Sequence, residues 1–298
     1  MIHLNGSAPP SPTPPMRIVW FGESIVSDWR NPVATTMRAI LRALGQAGHE
    51  VTFHEQRHNR PMVEAMRAHG SATYRAFQLA YPDLRYRTYD LPKRSSERSV
   101  WLARETAIAE AVVVQDSAPP EIVEWLDRFD NPAIVTIFQR TREERLEMEP
   151  KVDLILSPFH DDDDAILFEP AVLTHAGAND RERSGELTVV YGDHPDSSGT
   201  ISAGSGVSDL DYIPEALLPD RYWQPEAVTI VDGDASPFAL ARAYLPMASG
   251  VRRVTLANAP SGRRQAIRGF AAAREQADAL AQQIHDTLAL RRMSGSLN

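Results

Sequence analysis

Short apolar runs rich in β-branched residues recur along the chain, separated by segments whose apolar residues follow helical spacing. Runs this short, apolar at successive positions, suit strands buried on both faces, and such strands belong to parallel sheets covered by helices. The alternation therefore points to an α/β architecture. In the first half the strand candidates are Arg17–Phe21, Glu50–Phe53, Tyr86–Tyr89, Ala111–Val114, Ala133–Phe138 and Val152–Leu156. Helices are expected at Ala34–Ala47, from Met62 to Arg67 and beyond, and at Glu97–Glu110, Pro120–Phe129 and Arg142–Met148. In the first of these, Met37, Ile40, Leu41 and Leu44 share one face, and Gly48 follows as the stop. Pro119 and Pro120 suit a helix start, where a missing N–H costs nothing.

A chain of 298 residues with 43 % apolar content can bury a sizeable core, as two ordinary domains or one large one. Residues 1–15, rich in Pro and Ser, read as a disordered leader without the basic and apolar regions of a signal peptide. Residues 16–176 form a first Rossmann-like lobe, and the polar stretch 177–186 reads as a linker. Residues 187–298 form a smaller second lobe, with strands at Leu187–Tyr191, Ala227–Val231 and Val251–Leu256. Between them lie a loose Gly/Ser region, Ser197–Ser208, and a helix, Phe238–Met247, interrupted by Pro246. The chain closes with a long alanine-rich helix, Arg263–Arg291. Its Leu280, Ile284 and Leu288 suit packing back onto the body, or pairing with a second copy in a homodimer.

Charge and composition remove several function classes. The net charge is −9 with acids and bases interspersed, so there is no basic face for nucleic acid. The chain has no cysteine, which excludes disulfides, thiolate metal sites and cysteine nucleophiles and fits a cytoplasmic protein. No apolar run reaches the roughly 18–20 residues that span a bilayer.

The chemistry concentrates in the opening βαβ unit, Met16 to Phe53. Such units bind ligands at the carboxyl ends of their strands. The loop placed there carries Gly22, Glu23, Ser24, Ser27, Asp28, Trp29, Asn31, Thr35 and Thr36. Gly22 permits close backbone approach. The hydroxyls and amide can bond a polyol, and Trp29 offers a flat apolar face to a sugar ring. The plain alternative is that Asn31 or Thr35 caps the helix and Trp29 packs in the core.

Gly22-x-Ser24-Ile25-x-Ser27-x-Trp29-x-Asn31, then Ala34-Thr35, then Arg42-Ala43-Leu44 and Gly48-His49-Glu50-Val51-Thr52-Phe53 resemble the N-terminal signature of CgeB-type glycosyltransferases. These have the GT-B fold: two Rossmann-like α/β lobes, a linker and a closing helix. The same pattern alone also fits periplasmic binding proteins and several kinases. The resemblance covers about forty residues clearly and extends more weakly to about residue 140. It implies that the first lobe holds the acceptor and the second an activated sugar on a nucleotide, with no cofactor and no obligatory metal. On the acceptor side it points to Gly22, Glu23, Ser24, Asp28, Trp29, Asn31, Thr35 and His160.

The family's Arg-x-Phe-Glu-Ala-x-Ala-x-Gly run, whose glutamate holds the donor ribose, is matched in part by Arg242-Ala243-Tyr244-Leu245-Pro246-Met247-Ala248-Ser249-Gly250. Leu245 stands where the carboxylate belongs and cannot accept a bond from ribose hydroxyls. Either the donor is held differently or the site has degenerated. Donor-side candidates are Gly192, Ser236, Arg242, Ser249 and Gly250. Ser236 would cap a helix at a phosphate. The glycines Gly192 and Gly199 to Gly206 would cradle a diphosphate or simply form a flexible loop.

Three residues are candidates for a general base: His54 and Glu55 after the second strand, and Asp116 after the fourth. A base must reach the acceptor hydroxyl, and strand alternation turns one of His54 and Glu55 toward solvent. His160 beside Asp161–Asp164 is a cation site, through His160 and Asp161, or a base whose pKa the acids raise, or a solvated helix-capping turn. Two functions follow. The chain is a glycosyltransferase, or a catalytically degenerate GT-B-like module that binds a glycan, a nucleotide or a partner. A periplasmic-type solute binder lacks its expected signal peptide.

Overall fold

The computed structural model describes residues 13–26, 32–142, 146, 149–158, 165–168, 186–191, 200–203, 206–209, 227–232, 253–257 and 270–295. A first sheet is formed by β1 (Arg17–Gly22), β2 (Glu50–Gln56), β3 (Arg85–Tyr89), β4 (Ala111–Gln115), β5 (Val135–Gln139), β6 (Leu154–Ser157) and β7 (Ile166–Leu167). Its order is β3-β2-β1-β4-β5-β6-β7 and every pairing is parallel. The strands interleave with helices α1 (Pro32–Gln46), α2 (Arg60–His69), α3 (Ala72–Ala80), α4 (Ser95–Thr106) and α5 (Pro120–Asp127). Each expected strand of this half is present, shifted by no more than three residues at its ends.

Strand side chains feed two cores, one on each face. Ile18 and Trp20 join Met37, Ile40, Leu41 and Leu44 of α1. Val19 and Phe21 join Val112, Val114, Leu102, Ile122 and Leu126. The period of two along a strand, applied to a run that is apolar throughout, produces this division.

Local signals set the helix ends. Gly48, at φ 95°, ends α1, where the His49 N–H returns to the Leu44 carbonyl at 3.1 Å. Asn59 caps α2 by accepting from the Met62 N–H at 2.8 Å. The expected helix at Arg142–Met148 is not formed at Arg142 or Leu146, and its other residues lie outside the described set.

The second sheet has the order β10-β9-β8-β11-β12, from β8 (Glu186–Tyr191), β9 (Thr200–Ala203), β10 (Gly206–Asp209), β11 (Ala227–Asp232) and β12 (Arg253–Ala257). Strands β8, β11 and β12 are parallel, whereas β9 runs antiparallel to both β8 and β10. The region read as a loose Gly/Ser loop therefore contains a hairpin. Its glycines masked the alternation of Thr200-Ile201-Ser202-Ala203 with Gly206-Val207-Ser208. The helix expected at Phe238–Met247 and most of the leader and linker lie outside the described residues.

The last helix, α6 (Phe270–Gly295), packs on α1 and β5 of the first sheet. Ala273, Ala277 and Ala281 recur every four residues and are buried in the same core as Leu280, Ile284 and Leu288. Small side chains on one face let two helices approach closely, and each buried Leu or Ile contributes about 1.5–3 kcal/mol. Arg291 fastens the far end. It donates to the Ile134 carbonyl at 2.8 Å and pairs with Asp153, whose carboxylate also accepts from the Thr136 N–H at 2.7 Å. The chain is thus an α/β protein of two Rossmann-like units, the second smaller, closed by a long C-terminal helix that returns to the first. No helix among the described residues is long and apolar enough to cross a membrane.

Candidate functional site

Strand order reverses at β1, which lies between β2 and β4, so the crevice at the carboxyl ends of β1 and β4 is the switch point of the first sheet. Gly22 ends β1 there. A Cβ on Gly22 would come within 2.1 Å of Gln115 Oε1 and 2.5 Å of the Phe53 ring, so only glycine fits.

A chain of buried amides fixes the floor of this crevice. The Trp20 indole, which can only donate, gives its N–H to Gln139 Oε1 at 3.1 Å. The same oxygen accepts from Gln115 Nε2 at 3.0 Å. That leaves Gln115 Oε1 to accept from the Glu23 N–H at 3.2 Å and the Ser117 hydroxyl at 3.4 Å. Each amide has one orientation, and the backbone leaving Gly22 is aimed by it. Sequence reasoning missed Gln115 and Gln139. Their signal was a glutamine closing each of two apolar runs, AVVVQ and VTIFQ, which pair in register as Gln115 opposite Gln139.

Alternation was expected to turn one of His54 and Glu55 toward solvent, but Glu55 is fully buried, and so is His54 at 2 % exposure. Helices cover both faces of β2, so alternation moves the side chains between two interiors and not between core and solvent. The His54 ring lies 5.0 Å from the Phe21 ring, tilted by 44°, and burial pushes its pKa down to about 4. At 2 % exposure it has no open face to offer an acceptor hydroxyl. Glu55 Oε2 accepts from the Ile25 N–H at 2.9 Å and the Val26 N–H at 3.4 Å. Burial pushes its pKa up to about 7, opposed by those two N–H groups, the Ser24 hydroxyl and Arg38.

Asp116, the third base candidate, is only 8 % exposed and its oxygens are occupied. They accept from the Thr141 N–H at 2.7 Å, the Arg142 N–H at 3.0 Å and the Thr141 hydroxyl. It anchors the loop after β5. Ser24 is buried and gives its hydroxyl to the Val26 carbonyl at 2.9 Å, while Thr35 and Thr36 are buried within α1. Of the acceptor-side residues in the described set, Glu23 retains partial exposure at the crevice.

Ser27, Asp28, Trp29, Asn31, His160, Asp161, Gly192, Ser236, Arg242, Ser249 and Gly250 lie outside the described residues. Gly206, a candidate for a diphosphate cradle, pairs with Ala203 in the β9–β10 hairpin. Among the described residues no group of three or more His, Asp or Glu side chains could hold a metal ion. Two open grooves, of about 200 and 570 Å³, follow the β2–β3 edge around Arg85 and are lined by neither Gly22 nor Gln115. The switch point is the better candidate, because there backbone ends and fixed polar groups converge.

No family model matches the sequence, and no curated protein matches it. Among solved structures the chain is similar to the spinosyn rhamnosyltransferase SpnG, with 13 % identity over 93 % of this chain and 91 % of that one, at a TM-score of 0.39. It is similar to the Streptomyces sp. SF2575 glycosyltransferase SsfS6 complexed with thymidine diphosphate, with 13 % identity over 94 % and 99 %, at 0.39. The glycosyltransferase SnogD from Streptomyces nogalater shows 13 % identity over 95 % and 100 %, at 0.41.

Proposed function

We propose that the protein is a glycosyltransferase of CgeB type, moving a sugar from a nucleotide-sugar donor to an acceptor hydroxyl. In this reading the lobe at 16–176 holds the acceptor and the lobe at 187–298 holds the donor. The observation that carries it is the crevice between β1 and β4. Gly22 there makes room for Gln115 and Phe53, a chain of buried amides fixes the backbone that leaves it, and the partly exposed Glu23 follows directly. Fixed polar groups with a partly exposed glutamate at a switch point suit a neutral, hydroxyl-bearing ligand. Folds host many reactions, and the return of α6 to α1 supports the two-lobe plan that the sequence resemblance implies.

Glu23 takes the role of general base that burial denies to His54, Glu55 and Asp116. It accepts the acceptor proton as the acceptor oxygen attacks the anomeric carbon and the bond to the nucleoside diphosphate breaks. Arg242, Arg252 and Arg253 are the cations available to offset charge on the departing diphosphate. Leu245 in place of the family's glutamate favours the second reading, a module that binds a glycan or partner without catalysis.

Thermal unfolding with uridine, thymidine, guanosine and adenosine diphosphates and their sugars separates the two. A ligand at 100 times its Kd stabilises by about 2.7 kcal/mol. No shift with any nucleotide removes the transferase reading. With a shift present, Glu23→Gln should abolish sugar transfer and leave the shift intact.

A further inference from the structure

The turn Ser24–Val26, immediately after Gly22 and Glu23, is held by two buried charged residues from different elements. Glu55 at the end of β2 accepts from the Ile25 and Val26 N–H groups at 2.9 and 3.4 Å. Arg38 of α1 donates through Nη1 to the Ile25 carbonyl at 2.5 Å. Both polar groups of Ile25 are therefore tied to opposite charges, and the Ser24 hydroxyl closes the turn on the Val26 carbonyl. Arg38 is 1 % exposed with its guanidinium 5.4 Å from the centre of the Tyr81 ring, and Glu55 is wholly buried.

Burying two charges is expensive, and apolar residues of the same volume would hold a core at least as well. Glu55 Oε1 is moreover buried without a hydrogen-bond partner, a cost that packing alone would not retain. What the two groups do in common is fix one peptide at the ligand end of β1. We propose that Glu55 and Arg38 are a positioning pair that locks the Ser24–Val26 turn and thereby holds Glu23 against the acceptor. This rests on the acceptor site being at the β1–β4 crevice. Neither residue touches the acceptor; both act through the turn.

Hydrogen exchange on the full chain tests the lock without any substrate. At pH 8, above the raised Glu55 pKa of about 7, Glu55→Gln keeps the shape and removes the charge, and Arg38→Met removes the donor to Ile25. Charge-assisted bonds of this kind predict exchange about tenfold faster over Gly22–Val26 in either variant. The β4 amides of Val112–Val114 should be unchanged. If Arg38→Met does not fold, Arg38→Lys, which keeps the charge but loses the planar fork, takes its place. Wild-type protection of the turn in folded variants would overturn the proposal.

Transfer assays give the second readout. The kcat/KM for the acceptor should fall about tenfold in both variants, through kcat, while the nucleotide-induced thermal shift stays as in the wild type. A faster-exchanging turn with an unchanged kcat/KM would overturn the proposal as well. A faster-exchanging turn in a protein that responds to no nucleotide would refute the transferase reading, and the turn lock would stand on the exchange result.

Discussion

His54 and Glu55 are chain neighbours on β2 that are buried on opposite faces of one sheet, the first against Phe21 and the second beneath Ile25. Burial disfavours the charged form of each. It lowers the histidine pKa to about 4 and raises the glutamate pKa to about 7, so the two shifts run in opposite directions within one peptide unit.

The pH dependence of stability follows from these shifts. The His54 contribution is complete above its unfolded value of 6.5 and is lost as pH falls toward 4. The Glu55 contribution is complete below its unfolded value of 4.5 and is lost as pH rises toward 7. Between pH 4.5 and 6.5 the two slopes oppose each other and the pair contributes little net dependence. Glu55→Gln removes one slope, so its stability relative to wild type should climb by roughly 3 kcal/mol from pH 4.5 to 7. Urea unfolding at a series of pH values measures this. A constant difference between the two proteins would show that Glu55 titrates normally in the fold.

Gly22→Ala should destabilise by about 1–3 kcal/mol, the usual cost of forcing atoms into a packed interior. The added methyl meets Gln115 Oε1 at 2.1 Å, so relief requires turning the amide that orients Glu23. Chemical denaturation reads the loss. Gly45→Ala, where nothing lies within 4 Å of a new Cβ, should show no such loss.

Asp116→Asn replaces a carboxylate that accepts from two backbone N–H groups and a hydroxyl with an amide that has one acceptor oxygen. A loss of about 1.5–3 kcal/mol is expected, the value of bonds to a charged group. Because both oxygens serve the loop after β5, Asp116→Asn should weaken transfer only as far as it weakens folding. A loss of kcat at full stability would restore Asp116 as a base.

Ile284→Ala should cost about 2–5 kcal/mol, since the side chain is fully buried in the core shared by α6, α1 and the first sheet. Its effect on the unfolding of the first sheet, followed by the fluorescence of buried Trp20, tests whether α6 and that sheet unfold together. Independent unfolding of the two would contradict the shared core.

The architecture was legible because its signals are local. Runs such as VVV in β4 and TIF in β5, helical spacing in α1 and the stop at Gly48 each depend on a few adjacent residues. The alanine face of α6, with Leu280, Ile284 and Leu288, was legible for the same reason. What the sequence could not show was the surroundings of polar residues. His54 and Glu55 look like a polar strand end, and only helices on both faces of β2 make both interior. Gln115 and Gln139, 24 positions apart, become a site through register alone. The β9–β10 hairpin was hidden by glycines that read as a loop.

Arg291 reaches back 157 positions to the Ile134 carbonyl, and the helix that carries it completes the core of the first sheet. During synthesis the first lobe must therefore wait for the last helix. With translation at roughly 5–20 residues per second, the hundred or so residues between β7 and α6 take roughly 5–20 s to emerge. Through that interval the faces of α1 and the sheet that α6 will cover are open to other chains. The first sheet and its helices are therefore not a unit of folding by themselves, and expressed without the closing helix they should aggregate.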